Sequence, residues 1–552
     1  MIKKILIVLS IILTGFYLIG CDTQENIPTE QTPSHVEPTP LEPTPTPIDP
    51  TPTPAEPTPT PIDEHALLLE QLRLSNPHND IYYQIFVRSF ADSTGNGIGD
   101  LNGITQNLDY LEALGITALW LLPINPSPSY HGYNVTDYYD IHPDYGTMED
   151  FDHLIAEASL RGIKIVIDLV INHTSDQHPW FVSARSSSSS PYRDYYIWQG
   201  NNAFESFVGG MKDLNLNNPE VVLEVKNMMD FYLEKGVAGF RLDAAKHFFD
   251  KPGVVGADLL NSLFILELNR HIKTNFPNSF IVSEVFDYNY IALEDYYIGS
   301  DSVFNFHAAS QIWNSVGNGN NRSNFANNLK RAYDAFRWIN PDFVDSPFLT
   351  NHDLDRLASM GGFNGINGFE RMRQATVVLL TLPGSPFIYY GEELGMKGYR
   401  DYSQDGAHVP GYGVAYDEYR RTPFLWGNPT IETTWFPDTQ NFETQPVHIQ
   451  IEDPNSLLNL YKTLTHLRLN VPALMYGNHF ETFNGNSTQI QGYVRSFSYG
   501  DFEQAVLIIH NLSSDVRYVD VDYLNILYGS LELEPFGSVI LEIDPSLIGD
   551  YT

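Results

Sequence analysis

Residues 148–173 read MEDFDHLIAEASLRGIKIVIDLVINH, and this stretch decides the architecture. Its first half, 148–161, has the apolar period of an amphipathic helix, and Gly162 is the residue type that closes such a helix. The second half, 163–171, is apolar almost throughout and of strand length, so both faces of that strand must be covered. The same alternation runs outward in both directions. Strand-like runs stand at 81–87 (IYYQIFV), 118–124 (ALWLLPI), 237–242 (VAGFRL), 279–283 (SFIVS), 343–349 (FVDSPFL) and 386–390 (PFIYY). Helical stretches lie between them at 103–114, 219–235, 257–276 and 368–381, with Gly115 and Gly236 ending two of them. Strand, helix, strand in regular order means parallel pairing through helical crossovers. Seven such strands, with an eighth that has no clean signal, predict an α/β fold of the (β/α)8 TIM-barrel class rather than an open doubly wound sheet.

Two departures from this alternation define further parts. Between His173 and Asn218 no long element is visible, and serines fill 186–190. A compact domain rarely carries so long a bare loop, so about 173–218 is expected to be a small subdomain inserted after the third strand. From about residue 471 the period changes to the alternation of antiparallel strands, as in 489–498 (QIQGYVRSFS) and 505–512 (AVLIIHNL). This predicts a C-terminal antiparallel β-sandwich over 471–552 and leaves 65–470 to the barrel with its insertion.

The first 64 residues belong to neither part. Lys3 and Lys4 precede an apolar run from Ile5 to Leu18 that ends in Leu18-Ile19-Gly20-Cys21, the pattern of an export signal and too short for a comfortable membrane span. Cys21 is the only cysteine of the chain, which excludes disulfides within it. Residues 1–20 resemble a bacterial lipoprotein signal peptide with its lipobox. That resemblance implies lipid on Cys21 and an extracytoplasmic protein anchored to the cell membrane. Residues 21–64 are rich in Pro, Thr and Glu, as in EPTPTPIDPTPTPAEPTPTP. From about Asn26 to Glu64, about 38 residues, the stretch favours polyproline II at about 3.1 Å per residue and reads as a stalk reaching up to ~120 Å.

At 552 residues, 42% hydrophobic and 13% aromatic, the chain buries a large core and holds more than one structural unit. Its 31 basic and 68 acidic side chains give a net charge of −37, which disfavours nucleic acid and anionic membrane surfaces as partners. A neutral polymer fits better, and the chain is expected to be a monomer.

In a parallel barrel the reactive groups stand at the carboxyl ends of the strands. The polar residues that interrupt or follow apolar strands here are Asp168, Asn172 and His173 in DLVINH, Arg241 and Asp243 in GFRLDAAKH, Glu284 in IVSEVF, and His352 and Asp353 in FLTNHD. Two carboxyl groups from different strands can hydrolyse an acetal, one protonating the leaving oxygen while the other attacks the sugar carbon. Arg241 lies two residues before Asp243, on the same face of the strand, and is placed to keep that carboxylate ionised. Glu284 follows an apolar strand, where desolvation can raise its pKa and make it an acid first and a base second. Alone, each residue reads more simply as a helix cap, a turn former or a satisfied histidine. No HExxH or CxxC spacing supports zinc. It is the ordered set that carries the reading.

The segments GITALWLLPI, DLVINH, GFRLDAAKH, EVF, FLTNHD and GSPFIYYGEE, in this order, resemble the signature regions of the α-amylase family of glycoside hydrolases. The likeness spans the chain from about Asn79 to the C-terminus. It implies a retaining mechanism through a covalent glucosyl-enzyme, with Asp243 as nucleophile, Glu284 as acid/base and Asp353 as the third carboxylate on the sugar hydroxyls. It places Arg241, His173 and His352 around the same sugar and Tyr133, in YHGYNVTDYY, beneath it as an aromatic platform. Ala244-Ala245-Lys246-His247 is similar to the run in true α-amylases, where Lys and His meet the leaving-side glucose units. The opening QIFVRSFADSTGNGIGDLNGI and the segment MKDLN are closer to the oligo-1,6-glucosidase and neopullulanase branch, although Lys212 stands where that branch often has Pro. The implied substrate is starch, glycogen or maltooligosaccharide cut at internal α-1,4 bonds. An α-glucosidase or transglycosylase using the same carboxylates is the alternative, and a non-catalytic glucan-binding lipoprotein a third.

Calcium is the implied cofactor. Asp92, Thr94, Asn96, the carbonyl of Ile98 and Asp100 fall at alternate positions around Gly97, like the first part of a calcium loop, although Gly103 stands where such a loop has its closing acid. By resemblance, a second ion is expected on Asn172, Asp213 and the carbonyl of His247.

Overall fold

In the computed structural model, which describes residues 64–552 except 405, 407, 410–412, 415 and 416, the stretch 148–173 folds as its pattern requires. Thr147 and Asp150 form a reciprocal capping box that starts the helix Met148–Leu160. Gly162, at φ 68°, ends it in a left-handed turn that a residue with a Cβ adopts only with strain. The strand Lys164–Leu169 follows. The signal segment, Cys21 and the Pro/Thr-rich residues to 63 lie outside the described residues.

Eight parallel strands form the central sheet: β1 Tyr82–Ile85, β2 Ala118–Leu121, β3 Lys164–Leu169, β4 Gly239–Leu242, β5 Phe280–Ser283, β6 Ser302–Phe304, β7 Val344–Ser346 and β8 Phe387–Tyr389. Neighbours pair in sequence from β1 to β7, and β8 returns to pair with β1. Between β7 and β8 the ring is completed by a single parallel bridge, Phe348 to Phe387, with Phe387 N donating to the Pro347 carbonyl at 2.9 Å. The sheet is thus a nearly closed (β/α)8 barrel.

Both faces of these strands are buried, as their apolarity demands. Ile165, Ile167 and Leu169 of β3 join Phe151, Leu154 and Ala158 of the preceding helix in the outer layer. Val166 turns inward, into a separate cluster with Tyr82, Trp120, Phe280, Val282, Phe304 and Phe387 that fills the barrel. The period of two then carries the inward face from Val166 to Asp168, from Gly239 to Arg241 and Asp243, and from Val282 to Glu284. The polar residues of the barrel mouth are therefore set by the same alternation that fills its core.

The eighth strand, without a clean signal in the sequence, is β6. It has three residues, Ser302-Val303-Phe304, held by pairing with β5 and β7. The expected insertion is present: His173–Ser175 pairs antiparallel with Met211–Asp213, around the helix Pro179–Ser186 and a hairpin of Trp198–Gln199 with Asn202–Ala203. Beyond the helix Leu457–Asn470 the chain forms a five-stranded antiparallel sheet, β9 His479–Thr482, β10 Ile490–Tyr499, β11 Phe502–Asn511, β12 Asn525–Tyr528 and β13 Ser538–Ile543. A two-stranded ribbon, Arg517–Tyr518 with Glu532–Leu533, supplies the thinner second layer, and Leu533 packs with Leu507, Val539 and Leu541. Arg495 of β10 ties this domain to the barrel by donating to the Thr381 carbonyl at 2.6 Å. Among the described residues no helix is long and apolar enough to cross a membrane.

Candidate active site

The strand ends converge on Arg241. Its Nη1 reaches Asp168 Oδ1 at 2.7 Å and Asp243 Oδ1 at 2.6 Å, and its Nη2 reaches Glu284 Oε2 at 2.9 Å. One planar, permanently charged guanidinium therefore joins three carboxyl groups from β3, β4 and β5, a role its rigid fork suits. Because Asp243 and Glu284 sit on the two arms of one guanidinium, both face the same small volume. Ala244, immediately after Asp243, has φ 50°, and this left-handed turn aims its N–H at Glu284 Oε2, 3.1 Å away.

Burial dominates the protonation of this cluster. It pushes the Glu284 carboxyl up to about 7 against the pull of Arg241, with Asp243 and Asp353 adding to the rise by repulsion. Asp168 is likewise raised by burial to about 7. Asp243 is raised by burial and opposed by Arg241. Three carboxyls around one cation leave a charge excess that favours a proton on one of them.

The remaining residues expected at the site gather around this centre. His352 accepts from Gln84 Nε2 at Nδ1, 2.7 Å away, which leaves its other nitrogen to donate toward the Tyr133 hydroxyl at 2.6 Å and Asp353 Oδ2 at 3.2 Å. Burial holds this imidazole well below its ordinary pKa, so it is neutral. Tyr133 donates to Asp168 Oδ2 at 3.1 Å, and its ring stacks on His352 with centroids 5.6 Å apart. His173 donates from Nε2 to the Tyr133 carbonyl at 3.2 Å. Lys246 pairs with Asp287 at 2.7 Å. Asp243, Glu284, Asp353, Tyr133, His173, Lys246 and His247 all line one open cleft of about 830 Å³. Arg241, His352 and Asp168 lie buried behind its floor.

The cleft also contains groups that the strand-end pattern does not reveal. Arg421 reaches Asp353 Oδ1 at 3.0 Å and Asp417 Oδ2 at 2.6 Å, and Tyr130 donates to the other oxygen of Asp417. His131 and Phe286 line the same cleft. Burial lowers the His131 pKa to about 4.

The two expected calcium sets differ. Around Gly97, Asp92 accepts from the N–H groups of Thr94 at 2.9 Å, Gly95 at 2.7 Å and Gly97 at 2.6 Å. Asn96 Oδ1 accepts from Ile98 N at 2.8 Å, and Asp100 accepts from Ser93 and Gly103. These bonds wind Asp92, Thr94, Asn96, Ile98 and Asp100 into one tight turn whose possible metal ligands are all oxygens, the chemistry a hard cation selects. The second set does not fit an ion. The ammonium of Lys251 is already bonded to Asn172 Oδ1, at 3.0 Å, and to Asp213 Oδ2. The sequence expectation at Asn172, Asp213 and His247 is corrected accordingly. Among the described residues no group of three or more His, Cys, Asp or Glu forms a metal cluster.

A family model described as the alpha amylase catalytic domain matches residues 84–207 and 203–477. Alpha-amylase 3 of Dictyoglomus thermophilum is 39% identical over 497 residues, covering 84% of this chain and 93% of that protein. The oligo-1,6-glucosidase of Parageobacillus thermoglucosidasius is 30% identical over 513 residues, covering 78% and 90%. Among solved structures, the α-amylase from H. orenii matches with a TM-score of 0.71 at 36% identity, covering 85% of this chain and 97% of that one.

Proposed function

The chain belongs to the α-amylase family of glycoside hydrolases, and from that premise we propose that it is a retaining α-glucan hydrolase cutting internal α-1,4 bonds of starch, glycogen or maltooligosaccharides. The observation that carries the reading is the bridging of Asp243 and Glu284 by one guanidinium at the mouth of the barrel. Retaining enzymes keep their two carboxyls about 5–5.5 Å apart, within reach of one sugar ring and without room for a water between them.

Glu284, protonated, gives its proton to the glycosidic oxygen as an oxygen of Asp243 attacks the anomeric carbon. The bond to the leaving sugar breaks, and a β-linked glucosyl ester forms. Glu284, now a carboxylate, takes a proton from water, whose oxygen attacks the same carbon and frees Asp243. Asp353 binds sugar hydroxyls, and Arg421 and His352 hold it. Tyr133 presents its ring to the sugar, while Lys246 and His247 stand on the leaving side.

The rise of Glu284 sets the alkaline limb of activity. The acid form is present below about pH 7 and is lost as pH rises through that value. The kcat/KM for a maltooligosaccharide should therefore fall about tenfold per pH unit above pH 7. A flat profile to pH 9 would remove Glu284 from the acid role.

Chain length and linkage are tested by the products from soluble starch, pullulan and maltotriose. Mixed-length products from starch are expected. Release of glucose alone would favour the α-glucosidase reading, which the 30% identity to an oligo-1,6-glucosidase keeps in view, and products longer than the substrate would mean transfer. Binding without new reducing ends would leave only a glucan-binding role.

Calcium is proposed at one place, the turn of Asp92, Thr94, Asn96, Ile98 and Asp100, where it would brace the loop after β1. The sequence up to residue 64 supports a protein carried outside the cell on a lipid at Cys21, with residues 21–64 as its stalk.

A further inference from the structure

Lys251 follows the turn Ala245–His247 that β4 feeds, yet its side chain runs back under the inserted subdomain and is only 7% exposed. Its ammonium donates to Asn172 Oδ1 at 3.0 Å, to Ser206 Oγ at 3.2 Å and to the fully buried carboxylate of Asp213. Three donors thus meet three oxygens, which exhausts the hydrogen-bonding capacity of an ammonium. The oxygens come from two parts of the fold: Asn172 follows β3, whereas Ser206 and Asp213 belong to the insertion.

We propose that Lys251 is a built-in cation that replaces a divalent ion at this junction and positions the wall of the cleft. The charge balance argues for it. Asp213 is the one carboxylate among those three oxygens, so the ammonium leaves the group neutral. A divalent ion added beside Lys251 would bring a net charge of about +2 into a buried space.

The ammonium acts on the cleft through its neighbours. By holding Asn172 Oδ1 it turns the amide so that Nδ2 donates to His173 Nδ1 at 3.2 Å. His173 is then fixed as the tautomer whose Nε2–H donates to the Tyr133 carbonyl, and burial keeps it neutral, with a pKa of about 4. On the other side, Ser206 precedes Phe207, whose ring meets those of His173 at 5.6 Å and His247 at 5.1 Å. Lys251 is a positioning residue for all three.

The test is calcium counting and calcium-dependent melting on the full chain. With Lys251 in place, elemental analysis after dialysis against millimolar calcium should find no more than one ion per chain. Asp213→Asn should not change that count, and Asp92→Asn should abolish it. Lys251→Ala should lower the melting temperature by about 3–5 °C and raise KM for maltooligosaccharides. Millimolar calcium should restore both in this variant beyond any effect on the parent. Two ions in the parent, or one that disappears with Asp213→Asn, would overturn the proposal. So would a Lys251→Ala protein with parental melting temperature and KM. These readouts do not depend on which glucan bond is cut, so they stand apart from the product test.

Discussion

Asp243→Asn should lower kcat on maltooligosaccharides by on the order of 10⁴-fold or more while the melting temperature stays within a few degrees of the parent. The loss follows from chemistry: an amide oxygen has no charge to give to the anomeric carbon, and a factor of 10⁴ is about 5.5 kcal/mol of barrier. The stability follows from the geometry around Arg241. A buried cation left without partners costs about 3–5 kcal/mol, but here Asp168 and Glu284 remain on it at 2.7 and 2.9 Å. Three carboxyls share that guanidinium in the parent, so removing one relieves repulsion as well as attraction. Substrate should still bind, because Tyr133, His173 and Asp353 are untouched; calorimetry with maltotriose separates this outcome from misfolding. Turnover near the parental value would take the nucleophile role away from Asp243.

What the sequence made legible here is governed by the period of two. Arg241 and Asp243 share a strand face because they are two apart, and they meet at 2.6 Å. Glu284 is placed the same way from Val282, and the long apolar strands announce burial on both sides. Legibility ends where a contact depends on closure in space. β6 has two apolar residues in three, and only its neighbours β5 and β7 make it a strand. The helix Phe325–Ile339 does carry an amphipathic period, and it is the crossover that such a strand requires. Arg421 lies in a loop after β8 and meets Asp353 across 68 residues, with no local pattern to mark it. His131 was within reach of the same motif that marks Tyr133, two residues away. Lys251 reads as an ordinary solvated lysine; only the fold shows that its ammonium is buried on Asp213. The missed residues, Phe286 apart, are charged or polar side chains recruited from loops, where neither period nor strand register fixes direction.

Glu284→Ala should separate the two carboxyl roles by stereochemistry. With a maltooligosaccharide, whose leaving oxygen needs a proton, kcat/KM should fall by about 10²–10⁴-fold. With an α-glycosyl fluoride, which leaves without one, the first step should be far less impaired, and the ester on Asp243 should accumulate because no base activates water. Azide needs no base. In the space vacated by Glu284 it attacks the ester from the face where the leaving sugar departed, so the product is an α-glycosyl azide. In an Asp243→Ala protein the vacancy lies on the opposite face, and azide should instead displace fluoride directly and give the β-azide. The two variants therefore yield opposite anomers only if their side chains flank one ring from opposite sides, the arrangement that the shared guanidinium of Arg241 imposes. A β-azide from Glu284→Ala, or equal losses on both substrates, would move the acid role elsewhere. Asp353, held by Arg421 at 3.0 Å, would then be the next carboxyl of the cleft to test.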